Sequence, residues 1–184
     1  MNNSPHGKTS ESFRPVIMGL NGMVASGHPL ASEAGINVMR NGGNAVDAAL
    51  AVASTLSVVE PMMSGLGGDG YIMVYWKDTD SIEIINGTGA APLKAEPHLF
   101  KDTGIPSKGI LSVSTPGLMH AWFDAYDKYA SLDLSTLFSD SIRIAEQGFP
   151  VTHYLSNAIG EDPLLCSFED SKKIFTNNGS PLAP

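Results

Sequence analysis

The sequence predicts an α+β fold in which an antiparallel hairpin packs on buried helices. Three observations carry this. The segment 45–59 is apolar almost all round, the pattern of a helix covered on most sides. Two runs rich in branched and aromatic residues, 71–76 and 82–85, flank the polar turn Lys77-Asp78-Thr79-Asp80-Ser81, the pattern of a hairpin. The segments follow one another as strand, two helices, hairpin, then helices, without the regular alternation of a parallel doubly wound sheet.

Each element has a local reason. Gly22-Met23-Val24-Ala25-Ser26 is a short apolar run closed by Gly27, and a buried strand is expected there. His28-Pro29 opens a helix, since proline loses nothing in a first turn whose N–H groups lack partners anyway. Leu30, Ala34 and Val38 recur on one face, and Arg40 followed by Gly42-Gly43 marks the helix end. Asn44 is the N-cap candidate of the next helix, and Asp47 comes close to completing a capping box. Pro61 ends that helix. Ser64-Gly65-Leu66-Gly67-Gly68-Asp69-Gly70 is a glycine-rich loop leading into the hairpin, and Asn86-Gly87-Thr88-Gly89 is the loop that leaves it. A further short strand is expected over 109–114. Thr115-Pro116 starts a helix to about Tyr129 with Leu118, Trp122 and Ala125 on one face, and a single helix is expected over 134–147, ended by Gly148. Beyond Pro163 the pattern weakens, and no closing element is expected.

At 184 residues the chain has the size of one ordinary domain or a piece of a larger one. A net charge of −8 argues against nucleic acid and against an anionic membrane surface as partners, since both call for basic patches. The single cysteine, Cys166, excludes an internal disulfide framework and any multi-cysteine metal cluster, and reads as a small buried apolar residue. Residues 1–15 are polar and are expected to form a flexible arm. They lack the apolar core of roughly 7–15 residues that a secretory signal carries. The longest apolar run, 45–59, falls short of the roughly 20 residues of a bilayer span. The expectation is a soluble protein, cytoplasmic by default, with periplasmic and extracellular locations left open.

Few residues announce chemistry. The glycine loop over 65–70 follows a helix and precedes a strand, whereas a phosphate loop lies between a strand and a helix N-terminus and carries Gly-Lys-Ser or Gly-Lys-Thr. It reads as a turn where backbone passes close to backbone, with a backbone wall for a substrate or oxyanion as a lesser role. His6, His28, His98, His120 and His153 are scattered, and no metal site is expected. His28 reads as a helix-start residue bonded to nearby backbone. Glu60, Asp69 and Glu83 are isolated carboxylates that spacing does not pair into an acid and a base.

Three blocks nevertheless carry a specific resemblance. Gly22-Met23-Val24-Ala25-Ser26-Gly27-His28-Pro29-Leu30-Ala31-Ser32 resembles the opening of the γ-glutamyltranspeptidase family. So do Arg40-Asn41-Gly42-Gly43-Asn44-Ala45-Val46-Asp47-Ala48-Ala49 and Val59-Glu60-Pro61-Met62-Met63-Ser64-Gly65-Leu66-Gly67-Gly68-Asp69-Gly70, in the same order and spacing. Looser likeness continues through Ser112-Val113-Ser114-Thr115-Pro116-Gly117 and Ala145-Glu146-Gln147-Gly148-Phe149-Pro150.

The resemblance implies an N-terminal-nucleophile hydrolase fold, an αββα sandwich of which this chain holds only part. Residues 16–184 would be the N-terminal segment of that domain, incomplete at the C-terminus. It implies a zymogen that cuts itself into a large and a small chain, freeing a threonine whose hydroxyl attacks an amide carbonyl. No threonine here has that context, so no catalytic residue is expected in this chain, and no metal or organic cofactor is implied. The implied partners are the remainder of the precursor, including the small catalytic chain, and a small amide or γ-glutamyl substrate such as glutathione. Asn86 and Thr88 are the implied substrate-binding residues. Typical members carry Asp-Gly-Arg-Glu-Thr-Ala-Pro where this chain has Asn86-Gly87-Thr88-Gly89-Ala90-Ala91-Pro92. Thr88 thus stands where an arginine grips the substrate's α-carboxylate, and a hydroxyl cannot form that bidentate charged clamp. The expected activity of the whole protein is amide hydrolysis or acyl transfer, and the alternative is a truncated, non-catalytic binding or packing module.

Overall fold

The computed structural model describes residues 16–184, and the arm expected over 1–15 lies outside the described residues. Helix α1 (Pro29–Arg40) starts as its sequence dictates. His28 Nδ1 accepts from the Leu30 amide at 3.2 Å, Pro29 fills the first helical position, and Gly42 takes a positive φ of 91° just past the end. Helix α2 (Ala45–Val59) carries a complete capping box. Asn44 Oδ1 accepts from the Val46 and Asp47 amides at 2.8 and 3.0 Å, while Asp47 Oδ2 accepts from the Asn44 amide at 2.8 Å. The two helices pack closely because small residues face each other. Ala31, Ala34 and Ala51 are buried, and a Cβ on Gly35 would stand only 2.7 Å from Val52 Cγ2.

Strands β1 (Tyr71–Trp76) and β2 (Ser81–Asn86) form the expected antiparallel hairpin, with Met73 opposite Ile84 and Tyr71 opposite Asn86. The alternation of a strand gives the hairpin two faces. Ile72, Val74 and Ile85 turn inward onto helix α3 (Leu118–Tyr129), whose Ala121, Trp122 and Ala125 are buried. Tyr71, Met73, Tyr75, Ile82 and Ile84 turn outward and are exposed. One core therefore joins α1, α2, α3 and the inner hairpin face through Val38, Val46, Leu50, Ile85 and Trp122. Among the described residues no helix is long and apolar enough to cross a membrane.

Several expectations are corrected. Residues 22–26 form no strand, because none of the described strands runs alongside to complete a ladder. The segment is held by side chains instead: Val24 packs where a Cβ on Gly35 would stand 3.1 Å away. The strand expected over 109–114 is a 3₁₀ turn at Ile110–Ser112. Gly109, at φ 91°, turns the chain there, and Ser112 bonds back to the Gly109 carbonyl through its amide (3.0 Å) and hydroxyl (2.7 Å). The helix expected over 134–147 divides at Phe138 into α4 (Leu134–Leu137) and α5 (Ser139–Gln147). Phe138 leaves helical geometry (φ −98°, ψ 1°), and its ring lies 6.2 Å from that of Trp122. Helix α6 (His153–Glu161) precedes the weakly patterned stretch, and beyond Pro163 that stretch holds α7 (Glu169–Phe175) and, against expectation, a closing element: a short hairpin of β3 (Thr176–Asn177) and β4 (Ser180–Pro181). Its turn residues Asn178 (φ 53°) and Gly179 (φ 86°) both take the positive φ that Asn-Gly favours.

Candidate functional site

The loop that follows β2 is fixed by a crossing of three backbone segments. The Gly87 amide donates to the Gly70 carbonyl at 2.8 Å, and the Gly117 and Leu118 amides both donate to the Gly68 carbonyl at 3.1 Å. Side chains have no room at this crossing. A Cβ on Gly87 would stand 2.6 Å from Ala121 Cβ and 2.9 Å from Gly70 O, and a Cβ on Gly89 would overlap the Thr115 carbonyl. The glycine loop over 65–70 thus does what its sequence predicts at Gly68 and Gly70: it lets backbone meet backbone. Helix α3 begins at Leu118 rather than at Thr115-Pro116, with Gly117 as its N-cap. The amides of Gly117 and Leu118 are already committed to Gly68.

Asn86 and Thr88 flank the crossing and are both exposed. Asn86 ends β2 opposite Tyr71, on the outward face of the hairpin. Its Oδ1 accepts from the Thr88 amide at 2.9 Å and from the Thr88 hydroxyl at 2.6 Å. A backbone N–H can only donate, so the atom facing it must be the oxygen, which settles the orientation of the side-chain amide. The Thr88 hydroxyl proton is therefore committed to Asn86. No arginine takes the place of the missing clamp among the described residues. Arg143 pairs with Asp140 at 2.7 Å on α5, and Arg40 lines a groove with Asp140 and Thr136.

The carboxylates separate into distinct roles. Tyr129 donates to Glu83 in a short hydrogen bond that raises the Tyr129 pKa, and its ring lies 5.3 Å from that of Trp76. This pins the hairpin to the end of α3. Asp47, fully buried, also accepts from the Ser131 amide (3.0 and 3.2 Å), the Ser131 hydroxyl and the Leu132 amide (3.4 Å). It thereby ties the start of α2 to the α3–α4 connection. Spacing revealed the cap but not this second set of donors, which lies more than eighty residues away. Glu60 lies against Gly27, and Asp69 is exposed beside Met62, Ser64 and Leu118.

The histidines do not converge. His28 is a buried cap whose ring meets Phe149 edge-on at 6.4 Å, His98 pairs with the exposed Glu96 at 2.9 Å, and His6 lies outside the described residues. Cys166 corrects its expectation: it is exposed, because the 3₁₀ turn Leu165–Ser167 turns Leu165 inward instead.

Comparisons with known proteins fit this arrangement. The family model described as Gamma-glutamyltranspeptidase matches residues 31–184. The chain is 40% identical over 183 residues to the glutathione hydrolase proenzyme of Bacillus subtilis, covering 95% of this chain and 31% of that protein. The crystal structure of Helicobacter pylori γ-glutamyltranspeptidase superposes with a TM-score of 0.82 at 30% identity, covering 90% of this chain and 49% of that one. That of a cephalosporin acylase from Bacillus halodurans does so with a TM-score of 0.74 at 33% identity, covering 97% and 33%. The chain thus spans about a third of the length of the curated relatives it matches. Its α+β fold is part of the N-terminal-nucleophile hydrolase sandwich. From these matches and the motifs that carry them, the chain belongs to the γ-glutamyltranspeptidase family.

Proposed function

We propose that this chain is the N-terminal segment of a precursor that, when whole and processed, hydrolyses amides or transfers their acyl group. The nucleophile in this reading is a threonine at the start of a small chain, outside the segment described. Its hydroxyl attacks the amide carbonyl and its own α-amino group takes the proton, a fitting base because α-amino groups titrate at roughly 7.7–8.0. The proton passes to the leaving amine as the C–N bond breaks. Water or an amino acceptor then takes the acyl group from the threonine ester. The outward hairpin face of Met73, Tyr75, Ile82 and Ile84 is the surface that the remaining sheet covers, and Tyr71 and Asn86 stand at its edge.

The role of this segment is recognition of the acyl side. The observation that carries the reading is the loop Asn86-Gly87-Thr88, held rigidly at a glycine crossing but bearing no positive charge. Amides without an α-carboxylate are therefore favoured over glutathione, in keeping with the likeness to a cephalosporin acylase. The test is Thr88→Arg in the full-length protein, assayed on a γ-glutamyl anilide. A charge-assisted hydrogen bond contributes about 1.5–3 kcal/mol. The variant should then gain about tenfold or more in kcat/KM. Efficient turnover of glutathione by the wild type, with no gain in the variant, would overturn this specificity.

A further inference from the structure

The loop over 86–89 presents a particular hydrogen-bonding pattern, and this inference rests on the amide-transfer reading above. The Asn86 side chain spends its oxygen on two donors from Thr88, at 2.9 and 2.6 Å. Its nitrogen makes no hydrogen bond among the described residues, and the residue is exposed. Two N–H donors are left free there. The Thr88 hydroxyl donates its one O–H to Asn86, so toward solvent it offers only lone pairs. Beside each other, then, stand one free donor group and one free acceptor, both uncharged. Tyr71, directly across the ladder from Asn86 and exposed, supplies an aromatic wall on the same face.

We infer that Asn86 Nδ2 and Thr88 Oγ1 together select an acyl group bearing a neutral donor–acceptor substituent, a carboxamide being the simplest. A carboxamide offers a carbonyl oxygen to Nδ2 and an N–H to Oγ1. A carboxylate has only acceptors. Its second oxygen would face the threonine lone pairs, and the described residues bring no cation to offset the clash. Asn86 is the recognising group, and Thr88 both orients it and completes the pair.

The experiment uses the full-length processed protein and three p-nitroanilides linked through the γ-carboxyl: that of glutamate, that of its α-carboxamide, and that of 4-aminobutyrate, which has hydrogen at the same place. The readout is the ratio of kcat/KM between substrates, which a change in the folded fraction leaves unmoved. The α-carboxamide should exceed the α-carboxylate by about tenfold or more, the equivalent of one well-formed hydrogen bond. Asn86→Asp keeps an oxygen for Thr88 but replaces the free donor with an acceptor, and should abolish the carboxamide preference. Thr88→Val should do the same, and Thr88→Ser should restore it. Equal use of carboxylate and carboxamide by the wild type, or a preference that survives Asn86→Asp, would overturn the inference while leaving amide transfer standing. A protein that turns over none of the three anilides would overturn both.

Discussion

Substituting Gly87 by alanine tests whether the backbone crossing holds the loop in place. The added Cβ would stand 2.6 Å from Ala121 Cβ, 2.9 Å from Gly70 O and 3.2 Å from Gly117 O. Carbon atoms rest at about 3.5–4.0 Å, so relief requires movement of about 1 Å. The neighbours are poorly placed to yield: Ala121 is fully buried on α3, and the other two atoms are backbone. The loop itself must shift, which strains the 2.8 Å bond from the Gly87 amide to the Gly70 carbonyl. Overpacking costs about 1–3 kcal/mol. Loss of the bond adds about 0.5–1.5 kcal/mol, so about 2–4 kcal/mol is expected in all. Asn86 and Thr88 flank the shifted residue, so acyl-substrate turnover per folded molecule should also fall. Urea unfolding of the full-length protein measures the first effect, and initial rates normalised to folded protein measure the second. A variant within about 0.5 kcal/mol of the wild type, a typical neutral surface change, and with unchanged kcat/KM would refute the crossing as the element that positions this loop.

Asp47→Asn places an amide N–H₂ among the donors of Asn44, Ser131 and Leu132, and should lose about 2–4 kcal/mol in urea unfolding, whereas Ser131→Ala should lose about 1 kcal/mol. Equal losses would show that the carboxylate is not the hub. Asp133 caps α4, and hydrogen bonds from the Ser135 hydroxyl and then from Thr136 lower its pKa from the ordinary 3.8 to about 2. A carboxyl with a depressed folded pKa adds stability that is present above the unfolded value and lost as pH falls through the folded one, here between 3.8 and about 2. Following the Asp133 carboxyl by NMR, Ser135→Ala should raise its midpoint, and an unchanged midpoint would remove the serine as the main cause.

The parts of the fold that were legible are those fixed by neighbours in sequence. The capping box of Asn44 and Asp47, the proline start of α1 and the hairpin over 71–86 need only residues a few places apart, and each forms as expected. The failures have a common physical cause. Residues 22–26 have strand composition, but a strand exists only with a partner, and composition does not supply one. The break at Phe138 follows a contact with Trp122, which lies on another helix. The closing hairpin carries a two-residue turn signal in Asn178-Gly179, but its flanking strands of two residues each are too short to show a strand pattern. The site divides the same way. The resemblance implies Asn86 and Thr88, and the absence of arginine is plain in the sequence. The state of the Thr88 hydroxyl, spent on Asn86, is not, since it depends on the turn taken at Gly87, which in turn depends on Gly70 and Gly117.

The loop differs from the Asp-Gly-Arg-Glu pattern that the resemblance implies at three charged positions, and the changes at 86 and 88 belong together. Asparagine stands for the aspartate, threonine for the arginine and Gly89 for the glutamate, so the loop loses two negative charges and one positive, and positions 86 and 88 between them lose one of each sign. Either change alone would leave one ion without its opposite charge alongside. It follows that Thr88→Arg restores only half of the arrangement. The new guanidinium would have Asn86 beside it, whose oxygen can accept a hydrogen bond but carries no charge to orient the cation. Adding Asn86→Asp should fix the arginine toward the substrate. The double variant is therefore expected to exceed Thr88→Arg on a γ-glutamyl anilide by about threefold to tenfold in kcat/KM, the worth of one charge-assisted contact over a neutral one. The four-protein cycle of wild type, both single variants and the double measures this coupling directly. Additive effects would mean that positions 86 and 88 act separately, and the paired neutralisation would then have no bearing on specificity.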